Sequence, residues 1–474
     1  MLALLTIALG WKSARRPTHV PSRVRTLSCN EYAHEVGQHF TLDDTGRLGL
    51  WWMPSTWWRS ARERVEAVRH PRSEAGFAWH ATHTEGCIRF AEASTHGNKV
   101  VRVTQHGPWR CLTTCGDVEQ GLAYFDGDTS QPQVLGYQYL RVMLAAALGF
   151  CALAPSAPSG EGPRLVCVGL GTGALPGYLA HHLVTAPETD TGPTHGCAEP
   201  LRLVSSQLVA VEIDPVIVRA AAQPLGCRFY VVDGVAAAAA AAAPAEPEAE
   251  AESSAAAPET AEVPLPSGAA REGEAGAFCV TVCDAAAYVR TLRGASVAAV
   301  FLDAFDGEGE TPAHLLAPAF LRECREALAP GGVLVCNLFN GAPQSKARAN
   351  VEAVARKLRE NVGPVYSLQV AGQEESLVLV ARCGEELRPP GVADLRAAAR
   401  GAARAAGMRL RAGALVRRLL WVEVRADGRV VEVRPPATTG RVPWWNGSGR
   451  VPWWRRAGKQ GTSACERLSG GSNA

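Results

Sequence analysis

Residues 165–173 read Leu165-Val-Cys-Val-Gly-Leu-Gly-Thr-Gly173: a short apolar run that suits a buried strand, then three glycines in five positions. Glycine reaches backbone conformations closed to residues with a Cβ, so this loop can turn tightly and bring its backbone close to a ligand. A helix predicted over 175–184 would offer free N–H groups to a carboxylate or phosphate. The next apolar run, 207–211, ends in Glu212-Ile-Asp-Pro215 and leads into a helix through Ala222. Strand, glycine loop, helix, strand and acid make a βαβ unit, and an acid closing the second strand can accept both ribose hydroxyls of a nucleotide. The loop and the acid lie farther apart than in a compact unit, and the excess is placed in the Pro- and Thr-rich residues 185–200.

Two further strands run into acids. Phe278-Cys-Val-Thr-Val-Cys283 leads to Asp284, and the apolar run 297–302 leads to Asp303-Ala-Phe-Asp306. A helix over 320–328 is stopped by Pro330-Gly331-Gly332, and 333–337 is a strand. Val351, Val354, Ala355 and Leu358 fall on one apolar helix face. Residues 365–370 and 377–381 read as an antiparallel closing pair. Upstream, 100–103 and 122–127 are strands and 137–154 is a helix. The expected fold is α/β: a doubly wound, mostly parallel Rossmann-like sheet with an antiparallel edge strand, preceded by a small β hairpin region. Ligands of such sheets lie beyond the carboxyl ends of the strands. Asp284 is therefore placed to accept from an adenine amino group. Asp303 and Asp306 would bring two carboxylates over the cleft, one as general base or as a holder for an amine. The alternative for such a pair is a loop Asp capping the following helix.

The 474 residues allow two or three domains at roughly 150 residues each. Lys plus Arg (48) nearly cancel Asp plus Glu (46), a net of +2, so neither nucleic acid nor an anionic membrane is expected as a partner. Fourteen Cys are scattered without a Cys-x-x-Cys pair, as in an intracellular protein with reduced thiols. No run of 18 apolar residues marks a membrane span, so a soluble protein is expected. His80, His83 and Cys87 have a spacing a metal could use, but no fourth ligand is at hand and no metal is expected.

Residues 1–30 hold no acid and five basic residues, the composition of a plastid or mitochondrial transit peptide; the alternative is a basic disordered tail on a cytoplasmic protein. Residues 31–117 carry Trp51-Trp52 and Trp57-Trp58 but no sustained period. The βα alternation occupies 118–383. It is interrupted at 234–276 by an Ala-, Glu- and Pro-rich insertion too poor in apolar side chains to offset its chain entropy. An Arg-rich extension at 384–435 holds a helical stretch and a hairpin around Asp427-Gly428 with no identified partner. Residues 436–474 read as a disordered tail, in which Gly440-Arg-Val-Pro-Trp-Trp445 recurs as Gly449-Arg-Val-Pro-Trp-Trp454.

The run 165–173, Val211-Glu-Ile-Asp-Pro215, Cys283-Asp-Ala285, Phe301-Leu-Asp-Ala-Phe-Asp-Gly307 and Leu328-Ala-Pro-Gly-Gly-Val-Leu-Val-Cys-Asn337 together resemble one branch of the class I S-adenosylmethionine-dependent methyltransferase superfamily. That branch is the spermidine synthase-like, or polyamine aminopropyltransferase-like, one, and the resemblance covers roughly 121–382. It implies that Gly169, Gly171, Thr172 and Gly173 face the methionine part of S-adenosyl-L-methionine or of its decarboxylated form. It implies Glu212 for the ribose, and Asp284 with Ala285 for the adenine edge. It further implies Asp303 as catalytic base, Asp306 as amine-binding acid, and Tyr137 with Gln138 on the substrate side. The branch often forms homodimers.

Two departures bear on which group is transferred. The branch's aminopropyltransferases usually carry an Asp within the glycine loop, where it attracts the amine of the decarboxylated cofactor and repels the carboxylate of the ordinary one. Here Thr172 stands in its place, which should shift the preference by at least about tenfold. Their Asp-Glu pair before Tyr-Gln is also replaced, by Gln133-Val-Leu-Gly136 before Tyr137-Gln138. Methyl transfer to an unidentified acceptor, an amine or other nucleophile on a small molecule or protein, is the first expectation. Aminopropyl transfer is the second, with the missing acids supplied by Asp126 or Asp128. A catalytically inactive nucleotide-binding scaffold is the third.

Overall fold

The computed structural model describes residues 71–433, apart from 97–99, 115–117, 155–162, 185–202, 233–269, 272–273, 293–296, 307–309, 341–344, 372–375, 385–389 and 425–428. The readings made for 1–30, for the tryptophan pairs, for most of the insertion and for the tail lie outside these residues. Among the described residues no helix is long and apolar enough to cross a membrane.

The described chain opens with α1 (Glu74–His83) and an antiparallel meander of β1 (Cys87–Ala93), β2 (Val100–His106), β3 (Trp109–Thr114), β4 (Val118–Asp126) and β5 (Thr129–Ser130). The small hairpin region is thus a five-stranded sheet. It runs across the boundary drawn at 117/118, because β3 and β4 pair from Trp109↔Tyr124 to Thr114↔Val118. β3 escaped the reading because Trp109, Arg110, Cys111 and Leu112 are all buried, which erases the two-residue alternation of a half-exposed strand.

The second sheet is built from β6 (Arg164–Val168), β7 (Leu208–Glu212), β8 (Phe229–Val232), β9 (Phe278–Val282), β10 (Val297–Leu302), β11 (Leu328–Phe339), β12 (Val365–Gln369), β13 (Ser376–Arg382), β14 (Leu419–Val424) and β15 (Val430–Val433). Its order is β15-β14-β12-β13-β11-β10-β6-β7-β9-β8. The pairings from β11 to β8 are parallel. The helices are α2 (Gln138–Cys151), α3 (Ala174–Leu183), α4 (Pro215–Ala222), α5 (Ala285–Thr291), α6 (Pro318–Ala327), α7 (Lys346–Asn361), α8 (Val392–Ala405) and the single turn α9 (Ala412–Leu415). Alternate strand residues feed two cores, one on each face. Leu165, Cys167, Ala210 and Phe301 pack with residues of α2, α3 and α8. Val166, Val168, Val211 and Leu302 pack with residues of α5, α6 and α7. Burial on both faces is why these strands read as unbroken apolar runs, and the mostly parallel, doubly wound sheet is as expected.

The far side of the sheet differs from a single antiparallel edge strand. β13 sits between β11 and β12, and β14 adds to β12 with Val365↔Val422 and Leu368↔Leu419 in register. The hairpin of the Arg-rich extension therefore finds its partner in this sheet. α8 packs on α2 through Leu395 and Ala399, which approach Gly149 so closely that a Cβ there would lie 2.9 Å from Leu395 Cδ1.

Candidate functional site

The parallel registers pair Val168 with Val211, Leu302 with Val168, and Leu302 with Cys336. The next residue of each strand or loop therefore comes level at the carboxyl end of the sheet: Glu212, Gly169, Asp303 and Asn337. Gly169 donates its N–H to Val211 O, and Asp303 donates its own to Val168 O. The crossing is so tight that a Cβ on Gly169, at φ 92°, would lie 2.5 Å from the Asp303 carbonyl oxygen. Gly171, at φ 51°, has a left-handed backbone with open space above it, its nearest atom being Gln120 O at 3.7 Å. Glu212, Gly169 and Asp303 border a cleft that is partly open to solvent. Gly169, Gly171, Thr172, Glu212, Asp284, Ala285, Asp303 and Tyr137 all line it. Gly173 lies behind the loop, at the N-cap of α3, where Cys227 Sγ leaves no room for a Cβ.

Glu212 is only 7% exposed. Its Oε1 accepts the N–H groups of Ile213 and Asp214, and its Oε2 accepts that of Leu170 at 3.0 Å. Burial still holds its carboxyl above the usual range, against the pull of these three bonds. Oε2 accepts only the Leu170 bond among the described residues and so has room for a further donor. Asp284 caps α5, accepting from Ala287 N–H through Oδ1, while Oδ2 lies 2.9 Å from His314 Nε2. His314 belongs to a short 3-10 turn, Ala313–Leu316, that also lines the cavity, and no periodicity in the sequence marked it.

Asp303 is half-buried, and burial pushes its carboxyl up to about 6. Two donors work against that rise: Asn337 Nδ2 donates to Oδ1 at 3.0 Å and the Tyr139 hydroxyl to Oδ2 at 3.3 Å. Asn337 closes the apolar run 333–336, a signal as visible as the one that marked Asp303. Tyr139 stands one position beyond Gln138; it lines the cavity and stacks on Tyr137, ring centroids 5.3 Å apart, whereas Gln138 is not among the lining residues. Tyr137 and Tyr139, rather than Tyr137 and Gln138, are thus the pair that lines the cavity.

Asp306 is not among the lining residues either; it accepts from Glu310 N–H through Oδ1 and donates its N–H to Glu310 O. Asp128 pairs with Arg110 and Arg89, and neither it nor Asp126 lines the cavity. Glu119 on β4 and Glu74 on α1 do not line the cavity either, but both are close enough to raise the Tyr139 phenol, after burial and Asp303. Glu119 reaches solvent, yet the surrounding protein and the Glu74 carboxylate push it up to about 7. Thr172 is buried against Gly121 of β4, with its hydroxyl 3.5 Å from Leu122 O. His80 and His83 sit on α1, where the His83 ring stacks on Trp79, and among the described residues no group of three or more His, Cys, Asp or Glu is placed to hold a metal.

No protein-family model and no curated protein sequence matches the chain. Solved structures do. A probable spermidine synthase from Corynebacterium glutamicum ATCC 13032 is 13% identical, covers 75% of this chain and 100% of its own, and has a TM-score of 0.43. Human Methyltransferase-like protein 13 in complex with SAH is 17% identical over 57% of this chain and 93% of its own, with a TM-score of 0.36. Spermidine synthase from Thermotoga maritima is 12% identical over 68% and 87%, with a TM-score of 0.36.

Proposed function

We propose that the protein is an S-adenosylmethionine-dependent transferase that passes a methyl group to an acceptor amine. The observation that carries this reading is one row of residues, Glu212, Gly169 and Asp303, level on one cavity at the carboxyl end of the parallel strands. Glu212 takes a ribose hydroxyl through Oε2, and Gly171 lets the loop backbone come up against the methionine part. Asp284 and Ala285 border the adenine end, where His314 shares the Asp284 carboxylate. When bound, the cofactor supplies an electrophilic methyl on a sulfonium. Asp303 receives the proton that the attacking nitrogen gives up, and an acid titrating near 6 is still ionised, and so a base, at neutral pH. Tyr137 and Tyr139 wall the approach.

Thr172 favours the carboxylated cofactor. Its place also faces the Leu122 carbonyl, an acceptor that would repel an Asp carboxylate there. Aminopropyl transfer is a second reading, favoured by Glu119 and Glu74, carboxyl groups near enough to Tyr139 to raise its phenol and so to attract an ammonium. Thermal unfolding of the full chain with S-adenosylmethionine, its decarboxylated form and methylthioadenosine separates the readings. A ligand at 100 times its Kd adds about 2.7 kcal/mol. Stabilisation by the carboxylated cofactor at concentrations at least about tenfold lower than by the decarboxylated one is expected. The reverse order establishes aminopropyl transfer, and no response to any of the three removes the cofactor assignment.

A further inference from the structure

We propose that Asn337 is the positioning residue for Asp303: its amide and the Tyr139 hydroxyl grip the carboxylate from opposite oxygens and aim it at the acceptor. The inference rests on the transferase reading only for the identity of what Asp303 faces. Asn337 comes level with Asp303 because the β10–β11 ladder pairs Leu302 with Cys336 and both strands then continue by one residue. Asn337 is 6% exposed, and its Nδ2 is 3.0 Å from Asp303 Oδ1. Its carbonyl oxygen is buried with no hydrogen-bond partner among the described residues. A side chain needed only for packing would not be an amide here, since Val335, two residues earlier on the same face of β11, is a buried apolar residue and a half-satisfied amide lowers stability. The orientation is forced as well: turned over, the amide would set its carbonyl oxygen against a carboxylate oxygen.

The titratable groups facing Asp303 are the Tyr139 phenol from α2 and the Cys167 thiol from β6, and Glu119 and Glu74 act on the Tyr139 phenol in turn. Burial raises the Tyr139 and Cys167 groups well above their ordinary values, so both are neutral at neutral pH. What opposes the burial of the Asp303 charge is therefore the pair of donors. A carboxylate held at both oxygens is restrained in rotation on the cavity wall.

The test is a titration of Asp303 in the full-length chain carrying 13C-labelled aspartate, its resonance identified by its loss in Asp303→Asn. The wild-type midpoint is expected near 6. Asn337→Leu and Tyr139→Phe should each move the midpoint up by about one pH unit, because each removes a donor to the charged form. A merely structural role for Asn337 would lower the unfolding temperature without moving the midpoint. An unchanged or lowered midpoint in Asn337→Leu, or in Asn337→Ser if the leucine variant does not fold, overturns the proposal. The titration uses neither cofactor nor acceptor, so a failure of the transferase reading leaves its result standing, and a failed titration beside normal cofactor binding removes only the role of Asn337.

Discussion

At the scale of single residues the site works against stability. The Asp303 carboxyl is raised in the folded chain, to about 6 against an ordinary value of 3.8, with burial as the cause. Below its unfolded value the group is protonated in both states and costs nothing; as pH rises through the window from about 4 to 6 the folded state must carry a charge it disfavours, and stability falls. Asp303→Asn removes that charge, keeps an acceptor for Asn337, and leaves an amide N–H that the Tyr139 oxygen can accept. It should therefore be more stable than wild type by about 2 kcal/mol at pH 7, with the difference gone near pH 4. Chemical denaturation of both proteins at the two pH values checks this. Equal stability at pH 7 would mean that the carboxylate is better solvated than its place suggests.

Among the elements, the β6–α3 connection is the most constrained. Gly169 combines a positive φ with a Cβ position 2.5 Å from the backbone oxygen of Asp303. Gly407 also has a positive φ but nothing within 4 Å of its Cβ position. Ala at 407 should cost about 1 kcal/mol for the backbone strain, whereas Ala at 169 adds a clash with backbone that cannot swing away and should cost about 3 kcal/mol or more. Gly169→Ala should also push Asp303 out of level with Glu212. Denaturation midpoints of the two variants decide the ranking; comparable losses would show that the crossing of β6 and β10 relaxes easily.

For the whole molecule, the Arg-rich extension is part of the fold. Leu395, Ala399, Ala412, Val416, Leu419 and Val422 are all at most 2% exposed, and β14 covers the edge of β12. A chain ending at Gly384 would uncover Gly149 and its neighbours on α2, and would leave β12 with an open hydrogen-bonding edge. At roughly 1.5–3 kcal/mol for each large apolar side chain, the loss is several kcal/mol. The shortened chain should unfold at a clearly lower temperature and self-associate, measured by thermal unfolding and light scattering. An unchanged midpoint would make the extension an accessory.

Local order along the chain was enough to determine the βαβ alternation, the glycine loop, and Glu212, Asp284 and Asp303. Each strand of the parallel core is buried on both faces and so reads as a continuous apolar run, and the residue after such a run is conspicuous whatever the rest of the fold does. Asn337 was as conspicuous as Asp303, but an amide suggests no chemistry until a neighbour is seen beside it. Only the tertiary structure decided that Asp306 bonds to Glu310 while Tyr139 lines the cavity. Helix phase and loop closure move a side chain from one surface to another with no change in the sequence pattern. It alone showed that β14 pairs with β12 and that Glu74 and Glu119 stand near Tyr139. Those contacts join segments far apart in the chain, and register between distant strands is set by the packing of the finished sheet, which no local period records.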